Sequence, residues 1–578
     1  MITKKLFPFE LTFKAIFRRV LCAWFLTAII FLSFSPGLVN DVAATGNISF
    51  LSFALCFVLF SMLFLRIKSE IFASGSLFSV SAFYFIISAA SGNDSYLAIG
   101  LCLAAGAVFT FCNELKLPDI VKTKKRLFVA AVICFVSFTA VAGGIGCLYY
   151  QNHQTPNFDF GIFSQMFYYM KETGKQLVTS ERDGLLSHFA VHFSPVFYLL
   201  LPFYYLIPTP QTLLVLQAAV VASGVFPLLL LCEKFGLSKR LSALVLILYS
   251  LYPAFWGGCF YYLHENCFLA PFLLWLFYFF EKKNAMGIFS FAVLTLCVKE
   301  DAPVYVAFAA LYFLVSKKDF LRGSIVFFLS VAWFIAALSF LKNHGEGIMT
   351  YRYDNLIFGN GGLFTVIKTV FENPALAVRE LFEKEKLLYF LEAMFPLFFV
   401  PLMIKNPERL FLLFPLLLVN LLPDYSYQHQ MGYQYGFGSG AFLVYLAVLN
   451  LSALEKESTK ERLSLLSLVC AAIVLFSLFA GRFGYFATYI NESSKRKTVD
   501  YALSLVEDNA SVAASAFLLP NLSSRKILYE LDTTEHRLEC EYVVIDLTRK
   551  YKDDFFDEKF EIIFFRENLI AVLKRTVS

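Results

Sequence analysis

The sequence predicts an all-α polytopic membrane protein with a small C-terminal α/β domain. Hydrophobic residues make up 58% of the 578 residues, charged residues make up 16%, and mean hydropathy is +0.65. Soluble chains average about 45–50% hydrophobic and about 25% charged residues. These values exclude a disordered chain, a nucleic-acid-binding protein and an ordinary soluble enzyme. They favour a chain built mainly from membrane-spanning helices.

Charged residues are concentrated near the C-terminal end. Residues 482–578 hold 30 of the 93 charged residues in about one sixth of the chain. Apolar alternation predicts strands over 541–546, 561–565 and 569–573, and 498–507 is predicted to be a helix. We therefore divide the chain into N-terminal extra transmembrane helices (1–120), a transmembrane core with outer loops at 149–210 and 342–386 (121–483), and a small soluble α/β tail (484–578).

Apolar runs close to the length of a membrane span predict about 15 transmembrane helices. Basic residues collect in cytoplasmic loops, so Lys4, Lys5, Arg18 and Arg19 place the N-terminus inside. An odd number of spans then places the tail outside the plasma membrane. The predicted spans lie near 20–38, 49–66, 72–90, 95–113, 127–148, 211–231, 241–257, 266–280, 285–298, 302–316, 323–341, 387–404, 409–423, 435–453 and 463–481.

The apolar run 188–207 needs a separate interpretation. It contains Pro195 and Pro202, and counting it as a span would put the basic residues Lys239 and Arg240 outside. We favour a re-entrant or interfacial segment, with a full span as the alternative. With that choice, polar clusters from at least five parts of the chain fall on the outer face. Ionisable groups beside apolar spans are costly and tend to mark function, so we expect one extracytoplasmic site.

An acidic residue follows the fifth predicted span. Asp159 lies between Phe158 and Phe160. Aromatic neighbours at a membrane surface desolvate a carboxyl group, which raises its pKa and makes it a better base. We assign Asp159 to catalysis, either as a base or as a metal ligand. The alternative is an Asp that caps a helix beside the membrane.

Three adjacent charged residues interrupt the apolar stretch 286–315. An outer turn explains one or two charges, but Lys299 there runs against the positive-inside trend, and Glu300 and Asp301 follow it. A lysine can bind a phosphate, and carboxylates can bind a cation or a hydroxyl. We assign Glu300 and Asp301 to catalysis. Together with Asp159 they form a candidate site for a divalent cation, Mg²⁺ or Mn²⁺, which is the expected cofactor.

Further polar residues of the outer face are candidates for substrate binding. His264 and Glu265 adjoin in one loop, where they can move a proton or hydrogen-bond a polar ligand, or simply form a solvated pair. Arg352 lies between tyrosines, and its guanidinium matches phosphate oxygens, although it can equally anchor the loop. His192 and Tyr435 are candidates as well. The alternative for His192 is a structural role, and the alternative for Tyr435 is a place in the aromatic belt at the membrane interface. The substrate-binding set is His192, His264, Glu265, Lys299, Arg352 and Tyr435.

Several motifs occur in an order that resembles a known family. They are Phe158-Asp159-Phe160-Gly161-Ile162-Phe163, His192-Phe193-Ser194-Pro195, residues 212–217, Tyr252-Pro253, His264, Lys299-Glu300-Asp301, Tyr435, residues 511–515 and residues 542–546. On these motifs, residues from about 145 to 578 resemble bacterial and archaeal membrane proteins of domain-of-unknown-function family two-thousand-seventy-nine (DUF2079).

That family is similar to glycosyltransferases of the GT-C type. The resemblance implies a GT-C-like core over 121–483 and transfer of a sugar from a polyprenyl-phosphate donor. The acceptor would be an envelope glycan, lipid or protein. The partners are therefore the lipid bilayer, this donor and this acceptor, with no nucleic acid. The resemblance places Asp159 at the position of the catalytic acid. The chain departs from the pattern in the neighbours of that acid, Phe158 and Phe160, and in Leu263 and Asn266 around His264.

Two other classes of function remain open from the sequence. A transporter or flippase for a lipid-linked or small polar substrate would place charges at mid-membrane and often carry an internal repeat. The sequence has no clear repeat, and its polar groups favour one face. A non-catalytic envelope scaffold would tolerate Asp159→Asn without any change in activity.

Overall fold

The computed structural model describes residues 12–34, 49–90, 121–345, 349–358, 362–552 and 555–576. Within these ranges the chain is mostly helical, and six helical stretches are long and apolar enough to cross a membrane. They are Ala15–Phe34, Lys124–Gln151, Pro210–Lys234, Lys239–Phe260, Phe320–His344 and Glu457–Asn491. Shorter apolar helices accompany them, and the chain is a multi-pass membrane protein. This does not confirm the predicted count of about 15 spans, and the predicted span at 95–113 lies outside the described residues.

The helices before residue 300 begin with three in the N-terminal region and continue through the first half of the core. Their bounds are α1 (Phe13–Phe34), α2 (Phe50–Leu65), α3 (Glu70–Ala90), α4 (Lys124–Gln151), α5 (Ile162–Thr173), α6 (Leu201–Leu206), α7 (Pro210–Ala222), α8 (Val225–Lys234), α9 (Lys239–Leu251), α10 (Pro253–Phe260), α11 (Leu269–Lys282) and α12 (Ala285–Leu296). A two-stranded antiparallel hairpin, β1 (Leu177–Val178) and β2 (Leu186–Ser187), follows α5.

The second half of the core and the tail contain the remaining elements. Their bounds are α13 (Ala302–Ser316), α14 (Phe320–His344), α15 (Leu363–Glu372), α16 (Pro374–Leu381), α17 (Lys384–Met394), α18 (Gly436–Ser452), α19 (Glu457–Phe483), α20 (Tyr485–Asn491), α21 (Ser493–Ser504), β3 (Val512–Ala514), β4 (Leu528–Glu530), β5 (Tyr542–Asp546), β6 (Phe560–Arg566) and β7 (Ile570–Arg575).

Helix α18 forms the centre of the core. All but one of its residues are buried, and it packs against α10 and α11. Around it, α4 packs against α7, and α13 packs against α14. Aromatic rings fill this interior, for example Phe277 stacked on Tyr445 with centroids 4.2 Å apart. Other helices surround α18 on every side, so it has no face exposed to lipid.

The helices run between two ends that differ in chemistry. At one end Lys239 Nζ donates to the carbonyl of Lys122 at 3.1 Å, and Arg240 pairs with Glu461 at 3.4 Å. Helix α4 begins at that end and, with 28 residues, carries the chain about 42 Å to the other end. The basic loops at the starts of α4, α9 and α19 therefore lie together, away from the segment that follows α4.

Proline explains where the structure departs from the predicted spans. The run 188–207 forms only single turns and the six-residue helix α6, so it is no continuous span, as the sequence analysis favoured. The runs 387–404 and 409–423 were expected to be continuous helices, and this is wrong. Helix α17 ends at Met394, and single turns beginning at or beside Pro396, Pro401 and Pro407 replace the rest. Proline lacks the N–H that a continuing helix requires.

The tail folds as a small α/β unit, as predicted. Its five-stranded sheet has the order β4-β3-β5-β7-β6, with β3 parallel to β4 and β5, and β7 antiparallel to β5 and β6. Strand β5 is buried along its whole length. Because β4, β3 and β5 are parallel, their carboxyl ends meet at one edge of the sheet.

Strand β4, the outer strand of the sheet, and nearby residues of the tail contact the segment that follows α4. Thr179 Oγ1 donates to the carbonyl of Leu528 at 2.8 Å, and the Leu528 amide donates back at 3.0 Å. His153 lies 3.1 Å from both Asp500 and Asn521. Asn157 Nδ2 donates to Glu530 Oε2 at 2.7 Å, at the end of β4. The tail therefore holds the segment that contains Asp159, which is two residues beyond Asn157.

We expect Glu530→Ala to loosen this segment. A hydrogen bond to a carboxylate contributes about 1.5–3 kcal/mol, so its loss should speed local opening by about tenfold or more. Hydrogen–deuterium exchange of a peptide covering 157–161, measured on the full chain in detergent, checks this. The control is Glu567→Ala, which removes an exposed carboxylate from the same domain. Equal exchange in both variants would contradict the assigned role of the tail.

Candidate functional site

A polar cavity of about 480 Å³ lies where the segment after α4 meets five other parts of the chain. Side chains from residues 158–163, 181–192, 261–264 and 349–352, together with Lys299 and the segment 425–435, line it. These segments are far apart in sequence. The structure therefore brings side chains from these separate segments to one cavity.

Asp159 enters this cavity from an irregular turn between α4 and α5. The turn spans Asn157–Gly161, and Asn157 is fully buried beneath it. A β-carbon on Gly161 would lie 2.6 Å from Asn157 Oδ1, so only glycine fits there. Asn157 also donates to the carbonyl of Ser180 at 2.9 Å. The turn is thus fixed from below, and the Asp159 side chain, 21% exposed, faces the cavity.

Four charged side chains form an unbroken chain from Asp159 into the protein interior. His264 Nε2 lies 2.7 Å from Asp159 Oδ2, and His264 Nδ1 lies 3.2 Å from Glu265 Oε2. Glu265 Oε1 lies 2.6 Å from Lys299 Nζ. Glu265 is fully buried and Lys299 nearly so. We call these residues, Asp159, His264, Glu265 and Lys299, the charge chain.

Contacts within the charge chain outweigh the effect of burial on each group. Burial disfavours the protonated form of His264, but Glu265 and Asp159 raise its pKa to about 9. Burial likewise opposes ionised Glu265, but Lys299 and His264 hold its pKa well below the usual range. At neutral pH the chain is therefore fully charged, with alternating signs.

The pKa of Asp159 corrects the sequence analysis. Burial does raise it, as expected, but the His264 imidazolium has the larger combined effect and lowers the pKa of Asp159 below its ordinary value. In the sequence, only the aromatic neighbours Phe158 and Phe160 are apparent, and the contact with His264 is not. Asp159 is therefore ionised throughout the physiological range rather than poised near neutrality.

His192 and Glu300 form a second pair beside the charge chain. His192 Nδ1 lies 2.9 Å from Glu300 Oε1, and the Phe193 amide donates to Glu300 Oε2 at 3.2 Å. Burial and then the Lys299 ammonium lower the pKa of His192, so it is neutral at pH 7. Its Nδ1–H then donates to the Glu300 carboxylate. Glu300 thereby fixes the segment that the sequence analysis described as re-entrant.

Arg352 lies at the other end of the polar cavity, among aromatic rings. Its guanidinium carbon is 5.1 Å from the Tyr425 ring centroid and 5.5 Å from that of Tyr435. Nη2 contacts Met349 Sδ at 3.1 Å, and the buried Nε has no hydrogen-bond partner among the described residues. The guanidinium also hydrogen-bonds Tyr351, so its Nε–H is the group that remains available for an anionic ligand.

A second cavity, of about 290 Å³ and mostly apolar, adjoins the polar one at Arg352. Both cavities share Val191, Met349 and Arg352 as lining residues. Apolar side chains from α14, α15 and the segment 418–422 form most of its wall, and Glu300 and Asp301 line its polar end. Asp301 Oδ1 is buried there without a hydrogen-bond partner among the described residues.

The structure gathers most of the predicted site residues but divides them between two cavities. Asp159, His192, His264, Lys299, Arg352 and Tyr435 line the polar cavity, and Glu265 lies directly behind it. Glu300 and Asp301 line the apolar cavity. Glu181 and His188, which form a buried pair 3.1 Å apart in the polar cavity, were not predicted as site residues, and neither were Tyr425, Tyr427 and Tyr433. The clustering of four tyrosines in eleven residues was the available signal.

The expected metal set is not assembled in this arrangement. The Asp159 carboxylate hydrogen-bonds His264, while Glu300, which lines the neighbouring cavity, hydrogen-bonds His192. In the described ranges no three His, Cys, Asp or Glu side chains are grouped so that they could hold a metal ion. A cation bound jointly by Asp159, Glu300 and Asp301 does not fit these positions, and the mechanism proposed below uses none.

Comparison with known proteins shows the family. Residues 150–561 match the model of the family described as "Predicted membrane protein (DUF2079)", and the chain belongs to that family. No curated protein matches the chain in sequence.

Two solved structures resemble the chain at 11% sequence identity. One is ArnT from Cupriavidus metallidurans bound to undecaprenyl phosphate, with a TM-score of 0.47 over 77% of this chain and 98% of that one. The other is ArnT from the same organism in the apo state, with a TM-score of 0.41 over 77% and 96%.

We expect Asp301→Asn to stabilise the protein near neutral pH. Burial and then the neighbouring Glu300 raise the pKa of Asp301 to about 6, against Lys299 and Arg352, which lower it. The folded protein thus binds this proton more tightly than the unfolded chain, and ionisation above pH 6 costs stability. Asn resembles the protonated form, so the melting temperature should rise by about 2–4 °C at pH 7.5. The gain should vanish as the pH falls through about 4, where the wild-type group is protonated in both states.

Scanning fluorimetry in detergent at several pH values checks this expectation. The matched control is Asp354→Asn, an exposed residue that lines neither cavity. A stabilisation that is independent of pH, or equal in the control, would show that Asp301 is not held in an unfavourable ionised state.

Proposed function

We propose that this member of the DUF2079 family is a membrane glycosyltransferase that uses a polyprenyl-phosphate-linked sugar and acts on the extracytoplasmic face. The acceptor is a component of the cell envelope. The junction of the polar and apolar cavities at Arg352 is the observation that carries this proposal. The contacts and charges of the residues around that junction suggest a role for each of them.

The two adjoining cavities match the parts of a lipid-linked sugar. A polyprenyl chain requires an apolar space, which side chains of α14 and α15 provide through Leu338, Leu341 and Val366. A sugar requires hydrogen-bonding groups, which the polar cavity provides. The phosphate that joins chain and sugar would lie between them, at Arg352.

Cations at the junction suit the phosphate. The Arg352 guanidinium has N–H groups without protein carboxylate partners within hydrogen-bond distance among the described residues. Lys299 lines the polar cavity as well, although Glu265 already neutralises most of its charge. As the bond from the sugar to the phosphate breaks, negative charge grows on the phosphate oxygen. A preorganised cation in a water-poor site stabilises that charge.

Asp159 is placed to accept the acceptor's proton. The acceptor oxygen forms a new bond to the anomeric carbon as the bond to the phosphate oxygen breaks, the polyprenyl phosphate leaves with that electron pair, and the acceptor proton moves to Asp159. Glycosyl transfer has an oxocarbenium-like transition state, in which the acceptor hydroxyl becomes acidic late. A carboxylate of low pKa can therefore act as the base, and because it is ionised at neutral pH it can accept the proton at once. His264 holds the carboxylate in place.

The orientation in the membrane follows from the charges at the two ends of the core. The basic loops around Lys122, Lys239 and Arg240 lie together at the end opposite the polar cavity. Cytoplasmic loops are enriched in Lys and Arg. The polar cavity and the tail then face outward, where the tail bounds the entrance used by the acceptor.

Binding of the carrier is the first expectation. Polyprenyl phosphate should copurify with the wild-type protein or bind when added, and Arg352→Gln should weaken binding by at least about tenfold, since one charge-assisted contact contributes about 1.5–3 kcal/mol. Native mass spectrometry in mild detergent measures this. Lys299→Ala is a poorer probe because it leaves Glu265 buried without its partner, so Lys299→Arg accompanies it. Lys405→Ala, at the end of the core with the basic loops, is the control.

Turnover distinguishes an enzyme from the alternatives. With a lipid-linked sugar and an envelope extract, Asp159→Asn should abolish transfer while leaving carrier binding intact, and it should lower the melting temperature because His264 loses a charge partner. Asp354→Asn should change neither transfer nor carrier binding. A protein that binds the carrier and moves it across vesicles without transfer would be a flippase. One that binds only bulk phospholipid would contradict the carrier site altogether.

A further inference from the structure

A row of tyrosines connects the two ends of the polar cavity. Tyr261 lies against Tyr433 with ring centroids 4.5 Å apart, and Tyr433 lies against Tyr427 at 4.6 Å. Tyr427 continues to Tyr425 at 5.0 Å, whose ring underlies Arg352. At the opposite end Tyr261 stacks on the imidazole of the charge chain, with centroids 6.0 Å apart. The row thus leads from the Asp159 end to the phosphate end.

We propose that the part of this row formed by Tyr261, Tyr433 and Tyr427, here called the tyrosine wall, binds a saccharide acceptor. This inference rests on the proposed function and narrows its acceptor to a carbohydrate. The wall lies at the Asp159 end of the row, while Tyr425 and Tyr435 are engaged by Arg352. An acceptor on the wall would place a hydroxyl beside the carboxylate, on the side away from the phosphate.

The chemistry of the wall suits sugar rings. A phenol ring offers an electron-rich face to the C–H groups of a pyranose and a hydroxyl to its oxygens. Tyr427 is 41% exposed at the mouth of the cavity, so the wall continues to the surface. None of the three hydroxyls hydrogen-bonds another protein group among the described residues, which leaves them for a ligand.

Charge balance around the wall favours a neutral acceptor. The carboxylate of Asp159 is matched by His264, and Glu181 Oε2 lies 3.1 Å from His188 Nδ1. Lys299 is matched by Glu265. Paired charges give little net attraction for a strongly ionic acceptor, but they hydrogen-bond a polyol well. The apolar cavity opens at the Arg352 end, which is already assigned to the carrier chain.

Saccharide binding tests the inference without any knowledge of the donor. We expect at least one of maltotriose, cellotriose and chitotriose to bind the full chain in nanodiscs, as measured by calorimetry. Tyr433→Ala and Tyr427→Ala should each weaken binding by about three- to tenfold, because each removes one aromatic contact. Tyr433→Phe should retain most of the affinity, since the ring remains. Tyr551→Ala, in the tail, removes a tyrosine outside the cavity and is the control.

Carrier binding by the same samples separates the two proposals. If polyprenyl phosphate binds but no trisaccharide does, or if Tyr433→Ala binds saccharides as well as wild type, the saccharide wall is wrong and the carrier site stands. If sugar is transferred to a protein or a lipid by the wild type and by Tyr433→Ala equally, the wall is again wrong. If trisaccharides bind at the wall while the carrier does not, the wall stands as a saccharide site and the proposed transferase fails.

Discussion

The charge chain from Asp159 to Lys299 is the constraint on which the site depends. Removing one partner of a buried ion pair leaves an uncompensated charge and costs about 3–5 kcal/mol. In this protein the four groups come from the turn after α4, the turn after α10 and the turn between α12 and α13. Ion pairs therefore hold these three turns together. A hydrophobic interior of equal volume would be as stable or more so, which points to a functional reason for the chain.

The same charged groups determine where the charged and the neutral parts of a ligand can bind in the polar cavity. Asp159 and Lys299 already have partners of opposite charge, His264 and Glu265. Arg352 differs, since its contacts are aromatic rings and a thioether. The anionic part of a ligand should therefore settle at Arg352, and its neutral polar part toward Asp159. The position of the apolar cavity beside Arg352 continues this order, from lipid chain to phosphate to sugar.

The sequence predicted the class of the fold and much of the site, because composition and unusual charges carry that information directly. Lys299 stood out because a lysine at an outer turn of an apolar stretch is unexpected, and it does line the polar cavity. The sign of the pKa shift of Asp159 could not be predicted, because it depends on His264, which is more than 100 residues away. The division of Glu300 and Asp301 into a second cavity is likewise a consequence of tertiary packing. The broken segments 395–412 were misjudged because apolar composition outweighed the prolines in the prediction.

A cryo-electron microscopy structure of the full chain with a polyprenyl phosphate is the most direct measurement of the central claim. We expect the phosphate within hydrogen-bond distance of Arg352, with the chain running past Leu338 and Val366 and the open side of the phosphate facing Asp159. A carrier bound elsewhere, with its phosphate away from Arg352 or its chain outside the apolar cavity, would contradict the assignment of these two cavities to a lipid-linked sugar.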